Sequence, residues 1–460
     1  MRPGQLTAPG SLRAEEEHPP AVDAPAATVA LLPWGLLYED FLSTIGVSLD
    51  AFATEMTGGY LFNYVDALRL AGIRSIIVLV SARVDRPTRL PHLPTGATIL
   101  VLPPPAPYRA LRSVLRSRLA QRALARTPSL YWLLEEIAAY SATPLRHFVR
   151  ELRREGCDAL LCQEYEYTRF DTCVALGRWM RIPVFATFQG GDRPWGLLQG
   201  ALRPRALARC AGLVIGPQLE IQRVWERYGV ADEKIARIFN PLDPAAFEVT
   251  PRPEARRALD LPEEARVVVW YGRVERERKG LDVLLDAWEQ VCSDRPELDL
   301  RLLLIGTGSD AEWMRQRVAT LRGVRWRDEY VHDRRVLRLH LSAADVFAFP
   351  SRHEGFPVAP IEAMACGVPV VAADAPGVPD ILEGGDAAGG IVVPRGDAER
   401  FAQALGELVD DPQRARQLGG RARQRAEASF SLPVVGEQLR TFLSRSGVAL
   451  PERSIEVKGG

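Results

Sequence analysis

Lysine is almost missing from this chain: of 58 basic residues only Lys234, Lys279 and Lys458 are lysines, and the rest are arginine. Lys279 sits inside a glycine-bounded motif, where a compact, rotatable ammonium serves better than a planar fork. Net charge is missing too, with 58 basic residues against 58 acidic ones. The chain as a whole therefore has no electrostatic drive toward nucleic acid, and any attraction must come from local patches. Six scattered cysteines, no Cys-x-x-Cys pair and no secretory leader predict free thiols in a reducing compartment, hence the cytoplasm. No apolar run is long enough to cross a bilayer, so membrane contact is expected to be peripheral at most. There is no Asp-x-Asp pair to clamp a metal diphosphate, no Gly-x-Ser-x-Gly elbow, and no histidine pair at metal-ligand spacing.

What is present is a repeated alternation of strand and helix patterns. At 460 residues the chain exceeds one ordinary core and predicts two domains with tails. Residues 1–26 are rich in Pro, Ala and Glu and read as a disordered leader. Residues 27–240 form the first α/β unit, with strands at 28–33, 75–80, 159–161, 183–186 and 212–215 and a helix behind Gly58-Gly59. A Pro-rich linker is expected over 241–256. Residues 257–430 form the second unit, with strands at 267–271, 300–305, 345–350 and 368–372 and helices at 281–292 and 311–321. A last helix over 431–445, placed to return to the first domain, precedes a tail over 446–460. In doubly wound sheets ligands lie beyond the carboxyl ends of the strands, and the informative motifs fall there.

Between Glu354 and Asp374 the only charged residue is Glu362, within Gly355-Phe356-Pro357-Val358-Ala359-Pro360-Ile361-Glu362-Ala363-Met364-Ala365-Cys366-Gly367. A helix over 357–366 puts Glu362 on the face of Val358, Ile361 and Ala365. A buried carboxylate is costly unless hydrogen-bonded, which a polyhydroxylated ligand does well. Glu354 and Glu362 bracket a helix N-terminus whose N–H groups favour phosphate. Hydroxyls and phosphate together predict a nucleotide sugar. The simpler reading makes Glu354 a helix cap and satisfies Glu362 by a neighbouring Arg.

The run Gly272-Arg273-Val274-Glu275-Arg276-Glu277-Arg278-Lys279-Gly280 follows a strand and precedes a helix. Arg273 and Lys279 can converge on one diphosphate, with the charges from Glu275 to Arg278 forming a solvated turn. Gly306-Thr307-Gly308-Ser309-Asp310-Ala311, with Asp328 and Glu329 about twenty residues on, fits either a dinucleotide fingerprint or a loop that lets a nucleotide approach the sheet. An NAD-dependent oxidoreductase is the rival it supports. Residues 109–126 hold six arginines and no acid, with Leu111, Val114, Leu115 and Leu119 at helical spacing. They predict either a basic helix lying on an anionic membrane or a surface helix with its apolar side on the core.

Glu354-x7-Glu362 within Glu-Gly-Phe-Pro, Gly272-Arg273 with Lys279-Gly280, and Asn240-Pro241-Leu242-Asp243 with Phe247 together resemble the retaining glycosyltransferases of family 4, over roughly 235–373. Gly58-Gly59 is similar to that family's N-terminal glycine loop. The resemblance implies the GT-B fold, two Rossmann-like doubly wound α/β domains facing across a cleft. It implies transfer from a UDP- or GDP-linked sugar to a hydroxyl of a glycan, lipid or small molecule, with retention and with neither cofactor nor divalent metal. Arg273 and Lys279 would bind the phosphates and stabilise the leaving diphosphate, and Glu354 would meet the sugar hydroxyls beside the backbone of Gly355, Phe356 and Pro357. Glu362 would hold the ribose, Tyr330 would line the base, Gly272 and Gly306 would border the donor, and Gly58 and Gly59 would close over the phosphates. Many members carry a histidine where this chain runs into Gln189-Gly190-Gly191-Asp192, which leaves Gln189, Asp192 and Glu164 as acceptor-side candidates. A non-catalytic nucleotide-sugar binder is the alternative that this departure permits.

Overall fold

The computed structural model describes residues 27–450, apart from 34, 41, 43–45, 58, 191–195 and 332. The first sheet has eight strands: β1 (Thr28–Leu32), β2 (Arg74–Val80), β3 (Thr88–Pro91), β4 (Thr98–Leu102), β5 (Ala159–Cys162), β6 (Val184–Thr187), β7 (Gly212–Val214) and β8 (Ile235–Ala236). Their order is β3-β4-β2-β1-β5-β6-β7-β8, and every pairing is parallel except that of β3 with β4. The second sheet is wholly parallel. It comprises β9 (Arg266–Tyr271), β10 (Leu300–Ile305), β11 (Val324–Arg327), β12 (Val346–Phe349), β13 (Val370–Ala373) and β14 (Gly390–Val393), in the order β11-β10-β9-β12-β13-β14.

The central strands are continuous apolar runs because both faces of each sheet are covered. Alternation assigns the side chains: Val267 and Val269 pack with Phe347 and Ile361 on one face of the second sheet, while Val268 and Trp270 pack with Leu284 and Trp288 on the other. Strand order reverses at β9, which has β10 on one side and β12 on the other. The chain segments leaving the carboxyl ends of β9 and β12 therefore border one crevice, and these segments carry Arg273, Lys279 and Glu354.

The crossing between the sheets is structured. A 3-10 turn at Pro244–Phe247 buries Phe247, and helix Arg252–Ala258 begins within the expected linker, its Arg256 held by Asp345 at 2.7 Å. Helix Leu432–Arg445 lies on the first sheet, with Val435, Leu439 and Phe442 in the same core cluster as Val29 and Leu68. Arg440 there donates to the Ala71 carbonyl at 3.0 Å.

One expectation needs correction. Residues 109–126 do not form a single helix: helices Ala106–Arg116 and Arg118–Leu124 are separated by Ser117, whose backbone is extended and whose Oγ accepts from the Ala120 N–H. Among the described residues no helix is long and apolar enough to cross a membrane.

Candidate active site

The loop after β9 is nested against the loop after β10. A Cβ on Gly306 would stand 1.8 Å from the Gly272 carbonyl oxygen, and one on Gly308 would stand 2.4 Å from that of Val274. Both glycines are thus required by loop-on-loop packing. The Asp310 carboxylate accepts from the Arg276 N–H at 2.7 Å, Asp328 is paired with Arg315 at 2.9 Å, and Glu329 is paired with Arg327. The glycine run that resembled a dinucleotide fingerprint therefore buttresses the Arg273 loop, and the acids that would have held a cofactor ribose are tied up in surface ion pairs.

The charges from Glu275 to Arg278 are largely solvated as expected, carried by the short helix Arg276–Lys279, with Glu275 bridging Arg273 at 3.1 Å and Arg278 at 3.8 Å. Gly280 ends it with φ +61°, and a Cβ there would meet the Pro350 carbonyl oxygen at 2.1 Å. That close approach brings the end of β12 beside Lys279. Lys279 Nζ lies 2.7 Å from Glu354 Oε1, with both side chains largely buried. Arg352 clamps the intervening loop by a two-pronged pairing with Asp282, each contact 2.8 Å.

Helix Ala359–Ala365 is shorter than the predicted 357–366, with Pro360 in its first turn. Glu362 is 7% exposed, and its Oε2 accepts from the Tyr271 hydroxyl at 2.5 Å. Its partner is thus the last residue of β9 and not the neighbouring arginine of the simpler reading. Burial pushes the Glu362 carboxyl above the usual carboxylate range, while the Tyr271 hydrogen bond and the Arg334 charge draw it back. Burial also raises the Tyr330 hydroxyl, with Arg273 lowering it and Glu362 adding to the rise. Two pairs result: Lys279 with Glu354, and Tyr271 with Glu362; Arg273 is bridged to Glu275, from where its charge acts on Tyr330. Gly355 and Phe356 can offer backbone N–H groups beside the first; Pro357 has none.

The face contributed by the first domain is built differently. Gly59 opens helix Gly59–Leu70 with φ +64°, whereas Gly58 and Asp192 lie outside the described residues. Glu164 is buried, accepting from the backbone N–H of Glu166 and of Gln189, each at 2.9 Å. Gln189 and Asn240 form a reciprocal amide pair at 3.0 and 2.9 Å, and Gln189 Nε2 also reaches Thr187 Oγ1 at 3.1 Å. These side chains shape the loop after β6. The domains touch backbone to backbone: a Cβ on Gly190 would lie 2.7 Å from Gly355 Cα, and one on Gly355 would lie 2.2 Å from Gly190 Cα. Beside this contact opens a cavity of about 630 Å³ lined by Phe188, Gly190, Leu219, Arg223, His353 and Glu354, among others. Of the four charged residues singled out from the sequence, Glu354 alone is on its wall; Arg273, Lys279 and Glu362 stand outside it. Among the described residues, no cluster of three His, Cys, Asp or Glu could hold a metal ion.

Sequence reasoning missed Tyr271 and Arg334, and named Asn240 only as part of the junction motif. Tyr271 carried a signal, since it directly precedes Gly272-Arg273 at a strand end; Arg334 carried none.

Comparison with known proteins agrees with this architecture. The family model described as Glycosyltransferase Family 4 matches residues 58–246, and that described as Glycosyl transferases group 1 matches residues 265–411. The chain is 30% identical over 280 residues to a GDP-mannose-dependent monoacylated alpha-(1-6)-phosphatidylinositol monomannoside mannosyltransferase of Corynebacterium glutamicum, covering 56% of this chain and 69% of that one. It is 31% identical over 249 residues to a D-inositol 3-phosphate glycosyltransferase of Catenulispora acidiphila, covering 52% and 59%. HepE of Anabaena, solved in complex with UDP, superposes with a TM-score of 0.64 at 17% identity, covering 91% of this chain and all (100%) of that one. The two parallel sheets, the crevice at the strand reversal and these matches have one common description: the chain belongs to the family 4, group 1 glycosyltransferases and has their GT-B architecture.

Proposed function

We propose that the protein transfers a sugar, with retention and without a divalent metal, from a UDP- or GDP-linked donor to an acceptor hydroxyl. The observation that carries this is the largely buried Lys279–Glu354 pair at 2.7 Å beside the start of helix Ala359–Ala365. A diphosphate between Arg273 and Lys279 takes over part of the ammonium's charge, which frees Glu354 to accept from the sugar hydroxyls. Two cations, with the N–H groups at the helix start, then stabilise the departing diphosphate where a metal otherwise would. Glu362 takes the ribose hydroxyls and Tyr330 borders the base. With Glu164 and Gln189 engaged in holding their loop, the acceptor proton passes to the departing phosphate oxygen. A relative named for GDP-mannose and a structural neighbour bound to UDP keep both nucleotides in this reading. The test is a panel of UDP- and GDP-sugars with chelator present and product anomers assigned by NMR. Binding without turnover would favour the non-catalytic reading, and turnover that requires added metal would overturn the metal-free one.

The same reading places the enzyme in the cytoplasm, at an anionic membrane surface. If residues 109–126 merely rested on the core, their apolar side would be covered. Leu115 is buried, yet Val114 is 57% exposed, Leu119 80% and nearby Trp132 66%. Around them Arg109, Arg116, Arg118, Arg122 and Arg126 are exposed. Such a surface suits a lipid-borne acceptor. Sedimentation with vesicles containing phosphatidylglycerol, and not with pure phosphatidylcholine, is expected, and Leu119→Asp is expected to weaken it.

A further inference from the structure

Arg334 opens helix Arg334–Ala343 in the second domain, and its Nη2 crosses to the first, donating to Asn63 Oδ1 at 3.0 Å. Asn63 is buried within helix Gly59–Leu70, and its Nδ2 donates at 2.8 Å to the carbonyl of Pro241, in the segment joining the two sheets. The guanidinium stands 5.6 Å from the centre of the Phe247 ring. Its Nε is buried and, among the described residues, has no hydrogen-bond partner. The Glu362 carboxyl lies within reach of its charge. Arg334 as a whole is half-buried, but an Nε closed off from water is costly until it finds an oxygen. An unmet donor near a buried carboxylate is an arrangement that a sugar hydroxyl, able to accept and donate at once, can complete.

We propose that Arg334 is a positioning residue that couples nucleotide binding in the second domain to the seating of the first domain's glycine-loop helix; this rests on Glu362 as the ribose ligand. A ribose oxygen accepting from Arg334 Nε fixes the guanidinium. The guanidinium then holds Asn63, and with it the helix that begins at Gly59. By linkage, seating the helix raises nucleotide affinity by the factor through which the nucleotide favours seating. Asn63 lies in the other domain, and a purely local nucleotide pocket would not feel its loss.

The test is calorimetric titration with UDP and with GDP of the parent chain, Asn63→Ala, Arg334→Ala, the double variant and Glu362→Gln, with thermal melting to establish folding. Asn63→Ala is expected to weaken the bound nucleotide about tenfold, and Arg334→Ala at least as much. In the Arg334→Ala background, Asn63→Ala should cost less than about twofold more. Arg334→Lys should recover only part of the loss, because one ammonium cannot span both oxygens. Equal losses from Asn63→Ala in both backgrounds, or parent-like affinity in a folded Asn63→Ala, would overturn the coupling. Asn63→Ser gives the same readout if Asn63→Ala does not fold. Glu362→Gln separates the two ideas: unchanged affinity there removes the ribose assignment, whereas the coupling itself is judged by the Asn63–Arg334 cycle.

Discussion

The two faces of the cleft are made from different materials. The second domain presents charge on short loops locked by ion pairs, with Lys279 on Glu354, Arg352 on Asp282 and Arg273 on Glu275. Around Gly190 the first domain presents amides and bare backbone: Gln189 against Asn240, a Glu164 carboxylate bonded to two N–H groups, and Gly190 touching Gly355, while its ion pair Arg223–Glu220 lines the cavity beside them. Charge in fixed positions suits a ligand whose charge never varies, as a diphosphate does. Amides and backbone can be rearranged from one acceptor to another without leaving a charge unpaired.

Breaking the charged face should cost most. Glu354→Ala is expected to lower turnover by about 10²–10³-fold, the scale of losing one electrostatic group at the reacting centre, with the fold kept as judged by circular dichroism; turnover within a few-fold of the parent would end its assignment. Next comes the interdomain contact. In Gly190→Ala the new methyl meets Gly355 Cα at a φ of +103° that L residues rarely adopt. The cleft should then close out of register, and kcat should fall by about 10²-fold, the scale of a 1 Å misplacement. Nucleotide affinity should fall by no more than the roughly tenfold that seating of the first domain contributes, so equal losses in both would blur the division between the faces.

Lys279→Ala should weaken donor binding by about 10–100-fold, and Lys279→Arg should restore it incompletely, because the pocket receives a point charge and not a fork. The smallest effect concerns stability. The folded Glu362 carboxyl lies above its ordinary value, so the native state holds that proton more tightly than the unfolded chain does. Stability is then full below the ordinary carboxylate value and declines as pH rises through the raised one. Glu362→Gln removes that decline. A melting temperature higher by roughly 2–4 °C at neutral pH, what about 1 kcal/mol does in domains of this size, with the gain shrinking on acidification, is expected even as nucleotide affinity falls.

Much of the second domain was legible in the sequence because its central strands are mostly apolar runs and Glu362 stands alone among apolar residues. Leu300–Ile305 was read to the residue, and the helix carrying Glu362 differed by a turn at most. Val324–Arg327 was missed because an edge strand that alternates Val and Trp with Arg has no aliphatic run to announce it. The break at Ser117 was missed because six arginines and spaced leucines favour helix on both sides of it. At Gly306 the permissive residue serves packing between loops, which the glycine pattern alone could not tell from a cofactor loop.

The amino-acid order by itself determined the class: alternating apolar strands and helices, punctuated by glycine and proline, admit few folds besides parallel sheets covered on both faces. It also determined which residues bear charge at strand ends, since those are local properties. Only the tertiary structure decided which polar groups meet. Lys279 and Glu354 are 75 residues apart and Arg334 and Asn63 are 271 apart, and their pairing depends on strand order and domain closure, which no local propensity encodes.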